Sequence, residues 1–68
     1  MTMEISRETF RRKVIEAIEQ GVAIEDIAGR LSCSKPTVRR WMNGTSSPTP
    51  TFRKLAVEVL DAILANRR

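Results

Sequence analysis

Along the first third of the chain, apolar residues recur at helical spacing. Phe10, Val14, Ala17 and Ile18 fall on one face, with Glu8, Arg12, Glu16 and Glu19 opposite. Ser6 is placed to cap this helix, and Ile5 and Phe10 have the spacing of a hydrophobic staple across that cap. Gly21 suits the left-handed position that ends it. A second helix is predicted from about Ile24 to Leu31. Glu25 and Asp26 stand in its first turn, where negative charge meets the positive end of the helix dipole, and Ile27, Ala28 and Leu31 form its apolar stripe. The triplet Ser32-Cys33-Ser34 reads as a short turn. Ser34 caps a third helix with Pro36 in its first turn, where the missing N–H costs little, and Gly44 stops it after Asn43.

Residues 45–51, TSSPTPT, resist both helix and core and read as an extended loop. Thr49 and Pro50 then open a fourth helix, from about 50 to 65, whose Phe52, Leu55, Ala56, Val59, Leu60, Ile63 and Leu64 form a sustained stripe. This helix is expected to fray in the closing ANRR. No strand pattern, repeat or second domain is visible. The fold predicted is all-α, one domain over residues 1–68, a compact bundle of four short helices. Its expected core is Phe10, Val14, Ile18, Ile27, Leu31, Val38, Trp41, Leu55, Val59 and Leu60.

Charge changes this picture more than composition does. Twelve basic residues against eight acidic ones give a net charge of +4. Such a balance favours polyanions, nucleic acid first and anionic membrane second. No acid occurs between Asp26 and Glu58, an interval holding Arg30, Lys35, Arg39, Arg40, Arg53 and Lys54. No apolar run approaches a membrane span, no signal-peptide core is visible, and the basic residues are spread over several helices rather than along one. A single cysteine fits a reducing compartment and reads as a buried structural thiol. With no histidine and one cysteine, no metal site is expected, and no nucleophile–base pair suggests catalysis. The reading is of a non-enzyme with no cofactor and no small-molecule substrate.

The third helix has two faces. Taking Val38 as zero, Trp41 and Met42 lie within about 60° of it, while Pro36, Arg39, Arg40 and Asn43 lie on the far side. Trp41 should therefore anchor the helix in the core while the arginines point outward. Neither arginine has an acid three or four residues away to pair with. Two helices joined by a short turn, the second with a basic outer face, fit a helix-turn-helix spanning about 24–43, whose second helix enters the major groove of double-stranded DNA. An arginine fork can bond guanine O6 and N7 together, which suits base reading.

The stretch IEDIAGRLSCSKPTVRRWMNG resembles the phage-repressor-like, or XRE, family of helix-turn-helix proteins. Ala28 stands at the family's small position, and Ile27, Leu31, Cys33, Val38 and Trp41 at its apolar ones. The resemblance covers residues 10 to about 64 and implies a lambda-repressor-like fold. It places base contacts on Lys35, Pro36, Arg39 and Arg40, with Thr37 a lesser candidate, and phosphate contacts on Asn43, Thr45, Ser46, Ser47 and Arg53. The family's cap and phosphate-binding glutamine are replaced here by Ala23 and Ile24, so Arg30 or Lys35 is expected to take over that contact. The glycine common in the turn is Ser32.

The function expected is that of a sequence-specific transcriptional regulator, a repressor by first expectation. It would be cytoplasmic and DNA-associated, of bacterial or phage origin, and a homodimer on a palindromic operator with half-sites about 34 Å apart. Two alternatives stand beside it. One is an antitoxin-like protein-interaction module working through the fourth helix, including Val57, with DNA binding secondary. The other is the recognition domain of a recombinase or transposase.

Overall fold

The computed structural model describes residues 5–66. They form four helices, α1 (Arg7–Glu19), α2 (Ile24–Arg30), α3 (Lys35–Asn43) and α4 (Pro50–Ala65), and no strand occurs among the described residues. The all-α bundle expected from the apolar spacing is the fold observed. Of the segment expected to fray, Ala65 closes α4 and Asn66 caps it, while Arg67 and Arg68 lie outside the described residues.

Local chemistry explains where the helices begin. The Ser6 hydroxyl accepts from the Thr9 N–H at 3.1 Å, and the Thr49 hydroxyl accepts from the Phe52 N–H at 3.4 Å. Each supplies a partner to one of the orphan donors of a first helical turn. Pro50 follows Thr49 as the first residue of α4. Ser34 occupies the N-cap of α3, as expected, but its side chain caps nothing. Its hydroxyl lies 2.9 Å from that of Thr37 instead.

The first three helices end alike. At each, a residue with positive φ donates its N–H three residues back, and the next N–H bonds five residues back, the Schellman arrangement. Gly21 (φ 98°) and Val22 bond Ile18 and Ala17, each at 3.0 Å. Ser32 (φ 55°) and Cys33 bond Gly29 and Ala28 at 3.3 and 2.9 Å. Gly44 (φ 77°) and Thr45 bond Trp41 and Arg40 at 3.2 and 3.1 Å. Ser32 thus holds a conformation that favours glycine, and it does so in the turn of the helix-turn-helix.

The core forms where α4 packs on α1, α3 on α1, and α2 on α3. Phe10, Val14, Ile27, Val38 and Leu60 are its largest fully buried side chains. Each such burial stabilises the fold by ~1.5–3 kcal/mol. The Trp41 ring meets Phe10 in a T-shaped pair with centroids 5.2 Å apart, and lies 6.0 Å from Phe52. Edge-to-face pairs of this kind add about 0.5–1.5 kcal/mol beyond area. Trp41 therefore fixes the roll of α3 about its own axis. Arg11 fixes the helix's far end, its Nε donating to the Met42 carbonyl oxygen at 2.9 Å, a favourable place for a cation near a helix C-terminus.

Three expected core positions settle differently. Leu55 is 57% exposed, because the buried line of α4 runs through Arg53, Ala56, Val57, Leu60 and Ile63. Taking Leu60 as the centre, Leu55 stands about 140° away and Val59 about 100°. Val59 and Ile18 are half-buried and pack against the rim of the core. Val57, expected outside the stripe, is buried. Val22, Ala17, Ala28, Leu31, Ala56 and Ile63 complete the core.

Arg53 is held by the fold's own backbone. It was expected on a DNA phosphate, yet it is only 9% exposed and sits on the buried line of α4. Its Nε donates to the Ile5 carbonyl oxygen at 2.7 Å, and one terminal nitrogen reaches the Pro48 carbonyl oxygen at 2.7 Å and the Ser47 hydroxyl at 3.4 Å. The guanidinium ties three segments together: the residue preceding the α1 cap, the α3–α4 loop, and α4. Its Nε and one terminal nitrogen are taken up by two carbonyls and a hydroxyl, so the side chain fastens the loop.

Candidate nucleic-acid interface

The outer face of α3 exists because its inner face is apolar and tightly held. Val38 and Trp41 are buried, so the 100° step per residue turns Lys35, Pro36, Arg39, Arg40 and Asn43 to solvent, and all five are exposed. Lys35, Arg39 and Arg40 make no ion pair with any described residue. The ion pairs that do form, Glu8 with Arg11 and Arg12 and Asp61 with Lys13, belong to α1 and α4. The positive face of α3 is therefore uncompensated by any described residue.

The remaining candidates flank it. Arg30 is exposed in the last turn of α2. Thr37 is half-buried and shares its hydroxyl with Ser34. Past the helix end, Thr45 is exposed and donates its hydroxyl to the Arg40 carbonyl oxygen at 3.2 Å. Ser46 is exposed, and Ser47 is half-buried against Arg53. Three loop hydroxyls thus follow the C-terminus of the basic helix, with Arg53 beneath them as a brace.

Sequence reasoning missed a neighbour of that loop. A cleft of about 160 Å³ opens beside it, lined by Arg7, Glu8, Phe10, Arg11, Trp41, Gly44, Thr45, Ser46 and Ser47. Arg7 was legible as an oddity: it is the first residue of α1, where the positive end of the helix disfavours a cation.

Cys33 lies half-buried in the turn between α2 and α3. Desolvation pushes its thiol up from the ordinary range, which disfavours the nucleophilic thiolate. No group of three or more histidine, cysteine or acidic residues is placed to hold a metal among the described residues. No described helix is long and apolar enough to cross a membrane.

Two helices joined by a tight left-handed turn, the second pinned by a tryptophan and basic outside, define a helix-turn-helix domain. Its family follows from comparison with family models: the homeodomain-like domain matches residues 5–48, more than half of the chain, and the chain belongs to that family. The match embraces α1, α2 and α3 and stops before α4. The helix-turn-helix expected from the residues is thereby shown, though as a homeodomain-like domain and not specifically as the phage-repressor type. Such domains are typically non-enzymatic and suggest DNA as the partner. No curated protein and no solved structure matches the chain significantly.

Proposed function

We propose that the domain binds double-stranded DNA sequence-specifically and regulates transcription, with α3 lying in the major groove. The observation that carries this reading is the outer face of α3, where three exposed cations meet no described acid. Arg39 and Arg40 are the base readers, and Lys35 stands at the start of the helix as a point charge for base or phosphate. Pro36 and Thr37 offer apolar contact, for instance to a thymine methyl. Asn43, Thr45, Ser46 and Ser47 hold one strand by polar contacts to phosphate, a role open to hydroxyls and amides. Arg30 serves the other strand, because Glu25 and Asp26 make the opposite end of α2 unwelcoming to an anion. Arg53 acts only by bracing the loop.

The regulator is proposed to act as a repressor, binding as a homodimer on a palindromic operator. Selection from a random duplex library, followed by anisotropy titrations at two salt concentrations, tests both parts. The expected result is a palindromic consensus bound at least ~10³-fold tighter than scrambled DNA. A single unrepeated half-site would refute the dimer, and the absence of any enrichment would refute specific binding. On the selected site Arg40→Ala should cost ~1–3 kcal/mol and relax preference at one base pair. Equal losses on selected and scrambled duplexes would remove Arg40 from base reading.

A further inference from the structure

Taking DNA binding as proposed above, the cleft beside the α3–α4 loop adds a contact that the outer face of α3 does not contain. We propose that this cleft seats a phosphate of the DNA backbone, with Arg7 as its cation. Its lining combines two guanidinium side chains, Arg7 and Arg11, with the hydroxyls of Ser46 and Ser47, while the hydroxyl of Thr45 there is given to the Arg40 carbonyl oxygen. These are the donor types that phosphate oxygens take up. The two arginines differ in availability. Arg11 gives its Nε to the Met42 carbonyl oxygen and one terminal nitrogen to Glu8 at 3.5 Å. Arg7 is exposed and pairs with no described residue.

The one acid in the lining, Glu8, is held by Arg11 and by Arg12 at 3.2 Å, so its charge is already met. Local stability gives no reason for a cation at Arg7, since the helix terminus there is positive. The position relative to α3 gives one. Gly44 and Thr45, which close the C-terminal end of the basic helix, also form one wall of the cleft. A strand leaving the groove along Asn43 and the loop therefore meets Arg7 next.

The test is a salt titration of wild type, Arg7→Ala and Arg7→Lys on a selected and a scrambled duplex, joined to a scan of single neutral methylphosphonates along the selected duplex. Arg7 is exposed and unfavourably placed at the positive helix terminus, so neither variant should melt below wild type, and thermal unfolding checks this. The expected result for Arg7→Ala is a loss of about tenfold on both duplexes. Its slope of log affinity against log salt should be shallower by about one. Arg7→Lys should keep the wild-type slope. One methylphosphonate position should weaken wild type and leave Arg7→Ala unaffected. Wild-type affinity and slope in Arg7→Ala, with wild type still discriminating the selected duplex, would overturn the seat alone. Failure of wild type to bind either duplex would overturn both this proposal and the function it rests on.

Discussion

Ser32→Gly should make this protein more stable. Ser32 occupies the left-handed position of a helix-ending turn whose counterparts in α1 and α3 are glycines. An L-residue there carries a steric cost of roughly 1–2 kcal/mol. Glycine removes that cost but returns about 0.4–1 kcal/mol of freedom to the unfolded chain. The side chain is exposed and makes no hydrogen bond to a described residue, so little else is lost. The net gain is about 0.5–1 kcal/mol, and at ~4–8 °C per kcal/mol for a domain this small, Tm should rise by roughly 2–8 °C.

The mirror substitution, Gly44→Ala, controls for the argument. Its new Cβ would lie 3.8 Å from Arg11 Nε and 3.9 Å from Arg11 Cδ, ordinary contact distances, so its cost comes from φ alone. Less the freedom it removes from the unfolded chain, it should lower stability by about 0.5–1 kcal/mol. Thermal unfolding followed by far-ultraviolet circular dichroism reads both. A Ser32→Gly protein melting at or below wild type, beside a Gly44→Ala protein melting with it, would show that left-handed strain is not what distinguishes these turns.

Two further outcomes follow from the placement of single side chains. Arg53→Met strips the Ile5 and Pro48 carbonyls of their donor and should cost about 1–3 kcal/mol of stability in chemical unfolding. Measured where both proteins are folded, its DNA salt slope should match wild type; a slope shallower by about one would return Arg53 to the phosphate ligands. For Cys33, the raised thiol pKa means that alkylation in the folded protein should need a higher pH than in an unfolded peptide, with coincident pH profiles as the contrary result.

Where chemistry is local, the sequence was enough. Ser6 and Thr49 stand before apolar runs, Gly21 and Gly44 stand after them, and each did at its helix end what its residue type favours. Trp41 and the arginines separated cleanly because α3 carries few apolar residues, leaving one phase for the wheel. The fourth helix resisted the same treatment. Phe52, Leu55, Val57, Val59, Ile63 and Leu64 spread over most of its circumference, so spacing alone did not choose between the line through Leu55 and the line through Val57. The burial of Arg53 was missed for a related reason. Charge suggested exposure, although Ala56, Val57 and Leu60 follow it at three, four and seven residues and mark it as inward. Its partners are backbone carbonyls of Ile5 and Pro48, which sequence distance hides. The cleft at Arg7 was invisible because its walls come from residues 7–11 and 41–47, brought together only by packing.

The family match closes at residue 48, and α4 begins at Pro50. Yet Ala56, Val57, Leu60 and Ile63 belong to the same core as Phe10, Val14 and Ala17, and α4 packs chiefly on α1. The unit that would be recognised by descent is thus shorter than the unit that folds. Grafting residues 5–48 into a chimeric regulator would uncover the α1 face and remove the Arg53 clasp, leaving a recognition helix with nothing firm to stand on. A transplant carrying α4 keeps both, and its outward residues, Leu55 among them, can be redrawn without touching what holds α3 in place.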